Sequence, residues 1–154
     1  IQNLVNFIIA FKDVILESDN DVYEILDLGF GKCRFAVAGV KGEKIYKKDE
    51  ILRVATKYPR ISKKYFDERG QKIRLIKLNG SVELAPLVGL SDVIVDLVET
   101  GKTLKANGLE VIEDMFEVSA KLICNRVSYR FKFDRINDLI KCLEEMEVQY
   151  CEDN

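Results

Sequence analysis

Short apolar runs and segments of helical spacing alternate through the middle of this chain. Leu52-Arg53-Val54-Ala55-Thr56 has the length and β-branched content of a strand. Ser62 to Arg69 predicts a helix, with Ser62 as its N-cap and Gly70 in the left-handed position just past its end. Ile73 to Leu78 predicts a second strand, closed by Asn79-Gly80. Ser81-Val82-Glu83-Leu84-Ala85 begins another helix, with Pro86 near the first turn, where proline costs least. Asp92 to Val98 predicts a third strand. After a turn, Leu104-Lys105-Ala106-Asn107 predicts a helix stopped by Gly108. The order βαβαβ selects a parallel sheet covered by helices. In such sheets ligands sit beyond the carboxyl ends of the strands, and all three strands here end in polar, Gly-containing or Pro-containing turns.

Two further strands flank this unit, Cys33 to Gly39 before it and Glu117 to Cys124 after it. A strand entering and a strand leaving mark a hinge between two lobes. The expected division is residues 1–38 and 118–154 in a first lobe and 39–117 in a second. Gly39 to Lys44 reads as a loop. From Asp134 to Glu147, Ile136, Leu139, Ile140, Leu143 and Met146 recur at helical spacing, an amphipathic helix whose apolar stripe covers core rather than cofactor. The last few residues read as frayed.

Composition narrows the chemistry. With 47% hydrophobic and 32% charged residues over 154, this is a globular chain rather than a disordered one. A net charge of -2 and the lack of a basic stripe interleaved with aromatics argue against nucleic acid. The apolar run Ile1 to Phe11 is interrupted by Gln2, Asn3 and Asn6, too short to span a bilayer and without a signal-peptide pattern, so the expected location is cytoplasmic. The chain has no histidine, which removes imidazole acid–base catalysis and histidine metal ligation. Cys33, Cys124, Cys142 and Cys151 have no CxxC spacing and read as reduced thiols. What remains is carboxylates, cations, hydroxyls, backbone dipoles and a soluble metal ion.

Those groups concentrate in Asp96-Leu97-Val98-Glu99-Thr100-Gly101-Lys102-Thr103-Leu104. A small turn carrying two hydroxyls and an ammonium can hold a phosphate, and the carboxylates can accept from ribose hydroxyls or bind Mg²⁺. The plainer alternative is a helix entry in which Thr100 or Thr103 is only a cap. Arg53, Lys57 and Tyr58 offer two cations and an aromatic face, or else a solvated turn. Glu83 can bond a base or hydroxyl, or complement a helix dipole. Asp13 and Glu17, four apart on a possible helix, are ambiguous.

The order of five segments is more specific. Asp21-Val22-Tyr23-Glu24-Ile25-Leu26-Asp27-Leu28-Gly29-Phe30-Gly31-Lys32-Cys33-Arg34 is followed by Val54-Ala55-Thr56-Lys57-Tyr58-Pro59 and then Gly80-Ser81-Val82-Glu83-Leu84-Ala85-Pro86. Next come the stretch from Asp96 to Leu109 and finally Asn125-Arg126-Val127-Ser128. From about Lys12 to Glu147 the chain resembles ATP phosphoribosyltransferase, the first enzyme of histidine biosynthesis. The resemblance implies an α/β, two-lobed fold like periplasmic binding proteins, with the active site in the crevice. It implies transfer of phosphoribosyl from phosphoribosyl pyrophosphate to N1 of ATP, with release of pyrophosphate and use of Mg²⁺. By matching position, Asp96 and Glu99 would address the ribose and Mg²⁺ region, and Thr100, Gly101, Lys102 and Thr103 the 5′-phosphate. Arg53, Thr56, Lys57, Tyr58 and Glu83 would line the ATP side, and Asp13 would contact the nucleotide. No protein nucleophile is required.

The chain looks like the short form, which implies a hetero-oligomer with a regulatory subunit resembling a histidyl-tRNA synthetase. The family's opening strand and Lys-Gly-Arg-Leu turn have no counterpart in this sequence, which implies a first lobe short of strands. Ile1 to Phe11 do not match the family and read as a substitute strand or a foreign remnant. Two alternatives stand beside catalysis. One is a non-catalytic fragment that keeps a phosphate-binding lobe and subunit contacts; the other is a solute-binding receptor-like module.

Overall fold

The structure is a computed structural model that describes residues 7–18, 21–42 and 50–152. Residues 1–6 of the opening run, 43–44 of the expected loop and 153–154 of the expected frayed end lie outside the described residues. In chain order come β1 (Phe7–Phe11), α1 (Lys12–Glu17), β2 (Val22–Asp27), β3 (Cys33–Val40), β4 (Leu52–Thr56), α2 (Pro59–Glu68) and β5 (Ile73–Lys77). A 3-10 turn at Val82–Leu84 leads to β6 (Val93–Val98), α3 (Lys102–Ala106), β7 (Leu109–Val118), β8 (Ala120–Asn125), α4 (Arg126–Phe131) and α5 (Phe133–Glu152).

Among the described residues these strands form two sheets. The larger has the order β5-β4-β6-β3-β7 and the smaller β1-β8-β2. β4 runs parallel to both β5 and β6, as the βαβαβ pattern requires. β3 is antiparallel to β6 and β7, so the larger sheet is mixed. Its central strands are buried on both faces, which is why their sequences are near-continuous apolar runs. One face sets Phe35, Val37, Val54, Val93 and Val95 against Ile61, Tyr65 and Phe66 of α2. The other sets Ala36, Ala38, Ala55 and Ile94 against Val82, Ala85, Leu104 and Leu109. The alternation along β3, β4 and β6 is the two-residue period of the pleat.

Several expectations are corrected. α2 begins at Pro59, with Tyr58 as its cap residue, four residues earlier than a Ser62 cap would allow. Proline already holds the dihedral of a first helical residue, so Ser62 lies inside the helix, its hydroxyl donating to the Tyr58 carbonyl at 2.8 Å. Gly70 does take the left-handed conformation (φ +68°). The segment Ser81 to Ala85 makes only a single 3-10 turn, entered through a left-handed Ser81 (φ 51°). The expected strand Glu117 to Cys124 is two strands, β7 and β8, broken at Ser119, where the chain leaves one sheet for the other. β2 and most of β7 fall where no strand was expected. The end of the opening run is a strand, β1, paired antiparallel with β8. The amphipathic helix is longer than expected at both ends, and Ile136 on its stripe is 1% exposed. The side chain of Met146 lies outside those described. No helix among the described residues is long and apolar enough to cross a membrane.

The chain passes between the sheets at residues 28–32 and again at Ser119, and these crossings are bonded together. Leu28 donates its N–H to Ala120 O at 3.0 Å, and Ala120 donates to Phe30 O at 3.1 Å. The Ser119 hydroxyl donates to Asp27 at 2.8 Å, and Lys121 pairs with the same carboxylate.

Candidate functional site

β6 ends at the buried Val98, and the chain turns through exposed Glu99 and Thr100 into Gly101, whose φ of +71° opens α3. Leu104, 6% exposed, anchors that helix in the core beneath. The Lys102 N–H points to Thr100 Oγ1 at 3.5 Å. First-turn amides of a helix have no partner within it, so donors and hydroxyls collect on one short arc. The arc borders a hollow of about 290 Å³ lined by Asp96 through Leu104 and by Glu83. Glu83 belongs to the turn after β5 and Asp96 to β6; the carboxyl ends of the strands bring them together.

Asp96 is held above the ordinary carboxylate range chiefly by burial, offset by the Leu97 N–H it accepts at 2.8 Å. Glu83 adds to the upward shift and Lys57 opposes it, so all three sit within electrostatic reach. Lys57 is exposed, its ammonium 5.9 Å from the centre of the Tyr58 ring.

Beside this hollow the two sheets meet. Tyr58 is buried, packs edge-on against Phe35 and donates its hydroxyl to Asp13 Oδ2 at 3.1 Å. Burial, followed by the charges of Asp13 and Asp96, raises the Tyr58 phenol. Asp13 opens α1 and is 8% exposed, and its Oδ1 has no hydrogen-bond partner among the described residues. Cys33, at the start of β3, has its thiol pushed up by burial and then by Asp13 and Glu99. Asp13, Cys33, Tyr58, Asp96 and Glu99 thus share one electrostatic neighbourhood, drawn from both sheets.

Two residues expected on the nucleotide side are elsewhere. Arg53 lies toward the amino end of β4, and its guanidinium clamps Asp92, reaching Oδ1 at 2.5 Å and Gly89 O at 2.8 Å. Because β4 and β6 are parallel, the start of one strand faces the residue that precedes the other, at the end of the sheet opposite the hollow. Thr56 is fully buried, its hydroxyl donating to Val95 O at 2.8 Å and accepting from the Tyr58 N–H at 2.9 Å. It shapes the turn from inside. Glu17 is the residue whose part sequence reasoning left open. It accepts from the backbone N–H groups of Arg60 and Ile61 at 3.1–3.2 Å, and its spacing of four from Asp13 was the available signal.

A mixed sheet tied by two crossings to a smaller one, with acids and hydroxyls at the strands' carboxyl ends, defines an α/β chain of the periplasmic-binding-protein type. The Escherichia coli aliphatic sulphonate binding protein SsuA superposes with a TM-score of 0.59 at 12% identity, over 92% of this chain and 54% of that one. The sequence profile of ATP phosphoribosyltransferase matches residues 3–145, and the chain belongs to that family. The match reaches back into the opening run that was expected not to fit. An ATP phosphoribosyltransferase of Clostridioides difficile strain 630 is 68% identical over 139 residues, which are 90% of this chain and 67% of the relative. The chain thus spans about two thirds of the length of that relative. A chain of the ATP phosphoribosyl transferase (HisG:HisZ) complex from Thermotoga maritima superposes with a TM-score of 0.83 at 36% identity, over 94% of this chain and 71% of that one. Family members are pentosyl-transferring enzymes of histidine biosynthesis. This membership favours neither the non-catalytic fragment nor the receptor-like module.

Proposed function

We propose that this chain transfers phosphoribosyl from phosphoribosyl pyrophosphate to N1 of ATP in the crevice where the two sheets meet. The observation that carries this reading is the hollow that gathers Glu83, Asp96, Glu99 and Thr100 to Thr103 in a chain of this family. Thr100, Gly101, Lys102 and Thr103 hold the 5′-phosphate through amides, hydroxyls and one ammonium. Asp96 and Glu99 accept from the ribose hydroxyls. Lys57, Tyr58 and Glu83 border the ATP side. The unpartnered Oδ1 of Asp13 is an acceptor awaiting a nucleotide donor, since a buried lone acceptor costs about 1–3 kcal/mol until it is filled. Arg53 and Thr56 act behind this wall rather than in it.

In the reaction the bond from the ribose anomeric carbon to pyrophosphate breaks and a bond to N1 of ATP forms. Positive charge develops on the ribose as the leaving group departs, and the carboxylates of Asp96 and Glu99 lie where they can stabilise it. The remaining acceleration comes from holding the two substrates in line. Mg²⁺ fits the donor set: it takes hard oxygen ligands, typically one or two carboxylates completed by substrate phosphates. Asp96 and Glu99 would hold it, and burial makes a nearby cation favourable for Asp96. When bound, it would neutralise the phosphates of the leaving group.

The expected second lobe of residues 39–117 widens in this reading to 33–118, because all of β3 and β7 pair in the larger sheet, and the segments on either side form the first lobe. The location is cytoplasmic. The regulatory partner is a subunit resembling a histidyl-tRNA synthetase, a reading supported by the two-component HisG:HisZ make-up of the Thermotoga maritima complex. Pyrophosphate release from ATP and phosphoribosyl pyrophosphate, measured with and without that partner, tests the reading. Glu99→Gln and Thr103→Val should each weaken phosphoribosyl pyrophosphate binding by about tenfold, the loss of one charge-assisted or well-placed hydrogen bond. Unchanged binding in both variants would reject the loop assignment.

A further inference from the structure

α2 lacks a cap of its own. Tyr58 at its cap position makes no side-chain capping bond, and no acid lies in its first turn. Pro59 has no N–H to satisfy. The Tyr58 N–H is taken by Thr56 Oγ1, and the Ser62 N–H by Tyr58 O at 3.0 Å. Two orphan donors remain, the N–H groups of Arg60 and Ile61. Both are met by the carboxylate of Glu17, at 3.1 Å and 3.2 Å. Glu17 ends α1, which joins β1 to β2 in the smaller sheet, while α2 joins β4 to β5 in the larger one. The helix is therefore capped from the other sheet.

Asp13 sits four residues before Glu17, and residues so spaced share one face of a helix. That face of α1 holds consecutive parts of one segment, with Asp13 on the Tyr58 hydroxyl and Glu17 on the Arg60 and Ile61 amides. Lys57, directly before Tyr58, lies within electrostatic reach of Asp96. A carboxylate at a helix N-terminus gains from both the hydrogen bonds and the helix dipole.

We infer that Glu17 is a positioning residue: by capping α2 across the two sheets it fixes Lys57 and Tyr58 against Asp96 and holds the nucleotide side of the crevice in place. The nucleotide part of this inference rests on the function proposed above; the capping part does not. The loop from Glu99 to Thr103 makes no contact with α1 that this inference uses, so the two substrates should respond differently.

The test is Glu17→Ala and Glu17→Gln in the full chain together with its regulatory partner. Hydrogen exchange of the Arg60 and Ile61 amides should speed up by about tenfold in Glu17→Ala, and by less in Glu17→Gln, which keeps an acceptor oxygen. ATP binding should weaken by about tenfold in Glu17→Ala while phosphoribosyl pyrophosphate binding stays within about twofold, with partial rescue in Glu17→Gln. Unchanged amide exchange would overturn the cap. Equal weakening of both substrates, or exchange rising uniformly over the larger sheet, would reduce Glu17 to general stability and overturn the positioning role. If the unaltered chain bound neither substrate, the proposed function would fall while the exchange measurement still decided the cap.

Discussion

Replacing Thr56 by valine separates a residue that shapes the site from one that touches ligand. Valine matches threonine in shape but removes the hydroxyl, and both of its hydrogen bonds are fully buried. The Tyr58 N–H would lose its acceptor inside the protein, costing about 1–3 kcal/mol, and loss of the bond to Val95 O adds about 0.5–1.5 kcal/mol. The sum, about 1.5–4.5 kcal/mol, corresponds to a fall of roughly 3–18 °C in melting temperature for a chain of this size. Thr56→Ser keeps the hydroxyl and loses one methyl, so it should cost only about 1 kcal/mol. Urea unfolding followed by circular dichroism gives the difference directly, provided the slope of the transition is unchanged. If Thr56→Val unfolded at the wild-type midpoint while ATP binding fell, the threonine would be facing ligand and the internal role argued here would be wrong. Equal stability of the valine and serine variants would show that the hydroxyl is not paired.

Phe66 is completely buried between α2 and the larger sheet, and Phe66→Ala should cost about 3–5 kcal/mol, read from the same urea transition. Asp27 ties the two crossings together, and Lys121, Ser119 and the Gly29 N–H lower its carboxyl from 3.8 to about 2. Its depressed value in the folded state means that it stabilises the fold above the unfolded value and that this contribution is lost as pH falls through the window between 3.8 and about 2. Stability profiles of wild type and Asp27→Asn should therefore differ most at neutral pH and converge at the acid end, and parallel profiles would contradict the pairing.

The parts of the fold legible in sequence were those whose determinants are local. β4, β5 and β6 are short apolar runs closed by turn residues, and the loop after β6 carries its chemistry within nine consecutive positions. β7 was hidden because it is an edge strand with Glu110, Glu113, Asp114 and Glu117 along it, and acids blunt an edge. Its pairing with β3 also shifts register twice, at Phe35/Ala36 and Val37/Ala38, which breaks the alternation a reader would look for. Arg53 was placed at the site because it belongs to the right strand; only the parallel pairing with β6, which sets Asp92 beside it, shows that it sits at the wrong end. The bond between Asp13 and Tyr58 joins residues 45 apart across two sheets, and no local pattern announces it.

The larger sheet is built from a single unbroken stretch, and its first and last residues are direct partners, Cys33 opposite Val118. Antiparallel partners lie only about 5 Å apart, so this stretch is a cassette with its two ends side by side, set into the smaller sheet as an insertion. A short linker could close those ends into a ring and new termini could be opened at the surface turn around Gly70, without stretching any strand. One wall of the crevice is therefore portable, able to be exchanged between relatives as one piece of gene, whereas the other wall exists only when segments from either side of the cassette come together.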